Sequence, residues 1–244
     1  MSGHSKWSTI KRQKQATDQV RAQTFTKLGN AITVAVRESG GIVDPNSNMR
    51  LRLAVEKARA ANMPKDRIER AIARAQGIGA GEALQEIVYE GFAPGGVAVL
   101  IESVTDNPQR AVSSIKNIFS TYGGNLGGSG SVAYLFEKVG MHTISKSQKE
   151  PAALLELLMQ INAENFIETE SEITIFTKVP HFHEVKAALE AQGIVPETSE
   201  LVYRPKSIME VSDPGIRSSV YKLQATLEAL DDVQKVFVNV TAET

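Results

Sequence analysis

The side chains in this sequence that are best suited to chemistry are cationic, and most of them lie in the first third of the chain. Lys and Arg bind phosphate groups and release the counterions condensed on a nucleic acid, which gives affinity without selectivity for base sequence. We predict a nucleic-acid-binding surface made of Lys6, Trp7, Lys11, Arg12, Lys14, Arg21, Lys27, Arg50, Arg52, Arg59, Lys65, Arg67, Arg70 and Arg74. Trp7 is included because a Trp among basic residues can stack on a base, although it can equally dock its segment onto the rest of the protein.

Three arginines of this set have a helical spacing. Arg67, Arg70 and Arg74 are three and four residues apart, so a helix would place them along one ridge. The alternative is a solvated surface on which helical neighbours pair, such as Asp66 with Arg70. No zinc finger, basic zipper or clear helix-turn-helix spacing accompanies the ridge, so we expect contacts to the phosphate backbone rather than to base edges.

The charge of the chain is divided unevenly along its length. Residues 1–76 contain 15 Lys and Arg against 6 Asp and Glu, a net charge of +9, whereas residues 77–244 contain 12 against 22. The formal net charge of −1 hides this division. A basic first third indicates a polyanionic partner, and the acidic remainder would face away from it or recruit a protein partner.

Other residue patterns do not form a catalytic, metal or cofactor site. The glycine-rich stretch 123–131 runs from a predicted helix into a predicted strand, the reverse of a phosphate-binding loop, so we predict a tight turn or hinge. His181 and His183 would diverge on a helix, and the sequence has no Cys to assist them in binding a metal. The Asp231-Asp232 pair and the acidic stretch 168–172 have no nearby nucleophile or base. We therefore expect no cofactor and no enzymatic activity.

The composition is that of a soluble globular protein. Hydrophobic residues make up 42% and charged residues 23% of the chain, and Cys is absent. The absence of Cys excludes disulfides and indicates a reducing compartment. No apolar run approaches the length of a membrane span, and the N-terminus does not read as a secretory signal. These observations predict a cytoplasmic protein with no membrane partner.

Helical periodicity predicts that residues 1–80 form a basic helical domain. Apolar stripes occur in three segments: Phe25 to Val36, Leu51 to Ala58, and Ile68 to Ala75. Gly40-Gly41 would end the first helix, and Asn62-Met63-Pro64 would start the third, with Asn62 or Met63 near the N-cap and Pro64 at the first helical position. A looser basic arm with a short helix around residues 9–15 is expected before the bundle.

The rest of the chain predicts two ferredoxin-like α+β domains, so the fold class is α+β multidomain. Residues 138–204 have the strand and helix order βαββαβ, which is typical of a split βαβ fold. We expect this domain to be inserted into a discontinuous one, made of residues 81–137 and 205–244. The discontinuous domain would include strands at 132–136 and near 206–211 and would complete a second βαββαβ unit.

Motifs spread over nearly the whole chain carry a resemblance to a known family. They are Gly3-His4-Ser5-Lys6-Trp7, Phe25-Thr26-Lys27-Leu28, Arg50-Leu51-Arg52-Leu53-Ala54, Ala60-Ala61-Asn62-Met63-Pro64-Lys65-Asp66, Ile68-Glu69-Arg70-Ala71-Ile72, Tyr89-Glu90-Gly91, Pro94-Gly95-Gly96-Val97-Ala98, Thr105-Asp106-Asn107, Gly123-Gly124-Asn125-Leu126-Gly127, Gly130-Ser131-Val132 and Leu230-Asp231-Asp232-Val233-Gln234. With these motifs the chain resembles the YebC/PmpR family of bacterial proteins. Its eukaryotic relatives include the mitochondrial translational activator of cytochrome c oxidase subunit I.

The resemblance implies a helical N-terminal domain followed by two α+β domains, and a cytosolic protein of the bacterial branch. Members of the family are described as probable transcriptional regulators that bind DNA, and others resemble ribosome-associated translation factors that relieve stalling at proline-rich stretches. Two functions follow as expectations: a non-enzymatic DNA-binding regulator, or a factor that binds ribosomal or transfer RNA on the ribosome. An enzyme with an unrecognised site is a third, disfavoured alternative.

Overall fold

The first part of the chain is a bundle of three helices. The computed structural model describes residues 3–77, 84–148 and 151–240, with side chains described outside 3–19 and 151–155. Helix α1 spans Gly3–Glu38, α2 spans Met49–Ala60 and α3 spans Lys65–Ala75. The predicted apolar stripes meet in one core, whose buried members are Phe25, Leu28, Ile32, Ala35, Val36, Leu51, Val55, Ala58, Met63, Ile68 and Ala71. The helical bundle predicted from the periodicity is confirmed.

Helix α1 is longer than predicted. Its backbone is helical without interruption from Gly3, so the expected loose arm with a separate short helix at 9–15 is instead the first part of α1. No Gly or Pro occurs between His4 and Leu28, so the sequence offers no strong helix breaker there. The end of α1 follows the prediction, because Gly40 and Gly41 adopt positive φ angles of 73° and 91°. The Gly41 amide donates to the Val36 carbonyl at 2.9 Å, which closes the last turn of the helix.

Two four-stranded antiparallel sheets, each accompanied by two helices, follow the bundle. In chain order the elements are β1 (Gln85–Phe92), β2 (Ala98–Thr105), α4 (Pro108–Thr121), β3 (Asn125–Leu126), β4 (Phe136–Ser145), α5 (Pro151–Gln160), β5 (Asn165–Glu168), β6 (Glu172–Lys178), α6 (Phe182–Ala191), β7 (Thr198–Pro205), α7 (Pro214–Glu228) and β8 (Val233–Val238). The α+β multidomain fold class is therefore confirmed.

The first sheet has the strand order β3-β1-β2-β8. Its helix α4 begins as predicted after an Asn N-cap, because the Asn107 side chain accepts a hydrogen bond from the Arg110 amide at 3.0 Å. Gly91 on β1 lets α4 pack closely, since a Cβ atom there would lie 2.7 Å from both the Asn125 carbonyl oxygen and the Phe119 ring. Because β1 and β2 are consecutive in the chain and adjacent in the sheet, the chain order is ββαβαβ and the expected βαββαβ unit does not form here.

The second sheet has the strand order β5-β6-β4-β7 and the chain order βαββαβ, as the sequence predicts. Ile144, Ile173 and Ile175 on its strands pack against Val185 and Leu189 of α6 in a buried core. His142 on β4 is fully buried; its Nδ1 lies 2.9 Å from the Ser199 hydroxyl, and its ring stacks on Phe182 with centroids 4.6 Å apart.

Two of the expected strands are absent from the described residues. Residues 132–136 do not form a strand; Ala133–Leu135 form a short 3-10 turn, and β4 begins only at Phe136. Near 206–211 the described chain makes a single bridge, between Met209 and Val240, where the Met209 amide donates to the Asn239 carbonyl.

The chain divides into two compact units. The first contains Met1–Ser131 with Val211–Val238, and the second contains Val132–Glu210 with Asn239–Thr244. The bundle and the first sheet lie in the same unit, and the second sheet forms the other. The finer division into three domains at residues 80, 137 and 204 stays a prediction. Within the described residues, no helix is both long enough and apolar enough to cross a membrane.

Candidate nucleic-acid interface

Helix α3 presents the predicted arginine ridge on one flank. Ile68 and Ala71 are buried in the bundle, so the helical spacing turns Arg67, Arg70 and Arg74 away from the core. Arg67 and Arg70 are exposed, and the Arg74 side chain keeps 38% of its surface accessible. Contrary to the prediction, Pro64 occupies the N-cap position itself and the helix begins at Lys65.

The Arg67 side chain is oriented by an aromatic ring of the neighbouring helix. Its guanidinium lies over the Phe25 ring of α1, 5.4 Å from the ring centroid. A cation over the face of an aromatic ring is attracted by the ring quadrupole, and the guanidinium edge stays available for hydrogen bonds. Arg21 lies one helical turn before Phe25 on the same face of α1, and it is exposed. The Arg67 guanidinium therefore lies against the face of α1 that also carries Arg21.

Arg70 and Lys65 pair with acidic neighbours on their own helix. Arg70 Nη2 lies 2.5 Å from the Asp66 carboxylate, and Lys65 Nζ lies 3.6 Å from that of Glu69. The Asp66–Arg70 pairing considered as the alternative is therefore present. Exposed pairs of this kind are worth about 0–1 kcal/mol, so a phosphate can compete for either cation.

The cations of α2 are placed differently from one another. Arg50 forms ion pairs with Glu38 and with Glu86. Arg52 donates to the carbonyls of Pro45 and Asn46, both at 3.0 Å, and so stabilises the turn before α2. Arg59 is exposed near the end of α2. Of the predicted residues on this helix, Arg59 is thus the one best placed for a phosphate.

Two of the residues predicted to contact nucleic acid, Lys27 and Arg74, face the first sheet and its helices instead of open solvent. Lys27 Nζ donates to the Glu228 carbonyl at the end of α7. Burial lowers the pKa of Lys27, while the carboxylates of Glu228 and Asp231 act in the opposite direction. Arg74 lies 4.0 Å from the Asp106 carboxylate. The side chains of Lys6, Trp7, Lys11, Arg12 and Lys14 lie outside the described residues.

The glycine-rich stretch 123–131 forms a turn that is stabilised by hydrogen bonds to Glu90 of β1. The Gly127 amide donates to the Glu90 carbonyl at 2.8 Å, and the Gly130 amide donates to the Glu90 carboxylate at 2.7 Å. Two of the amide groups that a phosphate-binding loop would offer are therefore bonded to Glu90 instead. Sequence reasoning missed the role of Glu90, which is buried; its position in the Tyr89-Glu90-Gly91 motif was the available signal.

His181, which follows β6 of the second sheet, is paired with a carboxylate on the next helix. His181 lies 2.9 Å from the Glu184 carboxylate and makes a pair with it. In the part of the chain that the structure describes, no three His, Asp or Glu side chains are grouped so that they could hold a metal ion.

The turn between α2 and α3 sets the direction of the arginine ridge, and it contains a residue in the left-handed backbone conformation. Asn62 has a φ of 58°, and the Met63 amide donates to the Ala58 carbonyl at 2.9 Å, a helix-ending motif in which Gly or Asn is favoured. We expect Asn62→Val to lower the free energy of unfolding by about 1–2 kcal/mol, because a β-branched residue is strained at positive φ. Urea titration followed by circular dichroism measures this. Asn62→Gly is the control, and an equal loss in both variants would contradict the backbone explanation.

The bundle and the two sheets match the domains of one family. Residues 5–78 match the family described as "TACO1/YebC protein N-terminal domain", and residues 84–240 match "TACO1/YebC second and third domain". The chain belongs to the TACO1/YebC family, as the resemblance of its motifs implied.

Relatives of known name are similar over nearly the whole chain. A "Probable transcriptional regulatory protein" of Acidithiobacillus ferrooxidans is 46% identical over 239 residues, covering 98% of this chain and 94% of the relative. A protein of Desulfotalea psychrophila described in the same words is 44% identical, covering 98% and 95%. The crystal structure of a conserved hypothetical protein from Aquifex aeolicus has a TM-score of 0.83 and 40% identity, covering 91% of this chain and 90% of that one. The family names describe a regulatory protein rather than an enzyme.

Proposed function

We propose that this protein is a non-enzymatic regulator of gene expression that binds nucleic acid through its helical domain. The observation that carries the proposal is the arginine ridge of α3, which lies on the exposed flank of a helix in a segment with 15 basic and 6 acidic residues. Arg21 and Arg59 extend the cationic surface beyond the ridge. An arrangement of this kind binds the phosphate backbone and owes its affinity to counterion release.

The first candidate target is duplex DNA. The names of the relatives support it, since they describe probable transcriptional regulatory proteins. Backbone contacts alone position a protein on DNA without selecting a sequence, so a DNA-binding regulator of this build would select its sites through DNA shape or a partner protein.

Folded RNA on the ribosome is the second candidate target. One observation favours it: Asp66 and Glu69 occupy the first turns of α3, the part of a recognition helix that commonly approaches base edges. Carboxylates there would meet the phosphates that flank a major groove. Recognition of RNA through shape and backbone does not require a helix terminus to enter a groove.

A binding comparison separates the two targets. Duplex DNA and folded RNA of equal length are titrated with the protein at several salt concentrations. Cell lysate is sedimented on a sucrose gradient in parallel. Binding of RNA with protein in the ribosomal fractions supports the translation candidate, and a promoter footprint that survives competitor DNA at physiological salt supports the transcription candidate. If the protein binds neither DNA nor RNA even at low salt, both candidate functions are contradicted.

The basic first half of α1 is expected to contribute to the same surface. Replacing Lys11, Arg12 and Lys14 by Ala should weaken polyanion binding and reduce the slope of log affinity against log salt by about one to three units, because up to three phosphate contacts are lost. The measurement is fluorescence anisotropy with a labelled nucleic acid. An unchanged slope would show that this segment does not touch the ligand.

A further inference from the structure

The C-terminal end of α7 is bonded to two side chains of α1. The last carbonyl groups of a helix have no partner within the helix and need donors from elsewhere. Lys27 Nζ donates to the Glu228 carbonyl, and Gln23 Nε2 donates to the Ala229 carbonyl at 3.3 Å. Gln23 and Lys27 are four residues apart, so they project from the same face of α1. We call these two bonds the α1–α7 clasp.

The position of Lys27 in the clasp does not favour a direct phosphate contact. A cation is stabilised at a helix C-terminus, where the macrodipole is negative. Lys27 is half-buried, and burial lowers its pKa. Its ammonium group is directed at a carbonyl, whereas Arg21 and Arg59 are exposed. Lys27 therefore belongs to a different group of residues from the exposed cations with which the sequence grouped it.

The clasp lies beside the first core residue of α1 among the described side chains. Phe25 is the first side chain of α1, among those described, that is buried in the bundle core, whereas Val20 keeps 62% of its surface exposed. Other contacts between the bundle and the first sheet lie further along the chain: Val34 packs with Leu84 and Val104, Arg50 of α2 pairs with Glu86, and Arg74 of α3 faces Asp106. Of these contacts among the described side chains, the clasp lies nearest to the first half of α1.

We propose that Gln23 and Lys27 are positioning residues, which fix the direction of the basic first half of α1 relative to the first sheet. This role rests on the proposed function only in its purpose, which is to hold the first half of α1 and the arginine ridge of α3 in one fixed geometry when a nucleic acid binds. The orientation itself exists without a ligand. A protein whose two binding surfaces are already fixed relative to each other binds a ligand more tightly than one whose surfaces must first be ordered.

The orientation is tested by a distance measurement on the full chain. The native sequence has no Cys, so spin labels can be attached to Val20→Cys on α1 and Lys116→Cys on α4. We expect pulsed electron paramagnetic resonance to give one narrow distance distribution. When Gln23→Ala and Lys27→Met are added to this labelled protein, the distance distribution should broaden. When Lys27→Arg is added to it instead, the distribution should stay narrow, because Arg still donates to a carbonyl. An unchanged distribution in the doubly substituted protein would overturn the proposal, as would a broad one in its parent.

Binding to a labelled nucleic acid provides the second readout. Lys27→Met should weaken binding about threefold to tenfold with an unchanged salt slope, because no phosphate contact is lost. Lys116→Met, which removes one exposed charge outside the bundle, is the matched control and should change neither quantity. A slope reduced by about one unit in Lys27→Met would make Lys27 a phosphate contact and overturn the positioning role. If the parent protein binds no nucleic acid, the proposed function fails, while the distance measurement still decides the clasp. Circular dichroism confirms that each variant is folded.

Discussion

Replacing Arg67, Arg70 and Arg74 by Ala is expected to reduce affinity for nucleic acid about 100-fold near physiological salt. The slope of log affinity against log salt should fall by about two to three units, since each contact to a phosphate accounts for roughly 0.7 to 0.9 of a unit. The structural reason is that Arg67 and Arg70 are exposed on α3 and that Arg74, on the same flank, keeps 38% of its side-chain surface accessible. Fluorescence anisotropy titrations between low and moderate salt measure both quantities.

The controls for the arginine ridge address folding and overall charge. Ala is the best helix former, so α3 should stay intact, which circular dichroism and the midpoint of urea unfolding verify. A variant with Lys116, Lys178 and Lys222 replaced by Ala loses the same charge from other exposed positions and should retain most of its affinity. Equal losses in the two triple variants would mean that net charge, rather than the ridge, determines binding.

The second large effect concerns the stability of the second sheet in mild acid. Burial, together with the nearby positive charges of Lys186 and His183, lowers the pKa of His142 to about 4. An unfolded chain has an ordinary His with a pKa near 6.5, so below that pH the unfolded state binds a proton that the folded state excludes. The stability supplied by neutral His142 is fully present above pH 6.5 and is lost as the pH falls toward 4. We expect a loss of about 2 kcal/mol between pH 7 and pH 5.

Urea unfolding at a series of pH values measures this effect. Because carboxylates also titrate in mild acid, wild type is compared with His142→Leu, in which the buried ring cannot be protonated. The two proteins should differ in the slope of stability against pH between 6.5 and 5. His181→Leu, which changes an exposed His, should follow the wild-type profile apart from the loss of its pair with Glu184. Parallel profiles for His142→Leu and wild type would show that His142 titrates normally.

Local patterns in the sequence predicted most of the elements, and the errors fall where tertiary contacts decide. The stripe from Phe25 to Val36 and the Asn107 cap of α4 are local signals, and both elements form as expected. The apolar run at 132–136 reads equally as a strand, but its backbone forms a 3-10 turn before β4. The order of the first sheet was missed because β1 pairs with β2 and β3 on opposite sides, which periodicity does not reveal.

The sequence located the cationic surface but did not separate its contacting residues from its structural ones. Arg67 and Arg70 could be assigned from helical spacing alone. The different placement of Lys27 and Arg50 depends on Glu228 and Glu86, which lie far away in the sequence. A count of charges gives every Lys and Arg the same weight, whereas the fold determines which of them already face an acid or a helix end.

The pairing of β2 with β8 has a consequence for how the chain is made. Val99 on β2 faces Val238 on β8, and the clasp joins α1 to Glu228 and Ala229. Strands β4 to β7, by contrast, complete their sheet from one continuous stretch of chain. During synthesis, the second sheet can therefore fold while the first still lacks its last strand. Helix α1 is synthesised first, but it reaches its final orientation last, when almost the whole protein has left the ribosome.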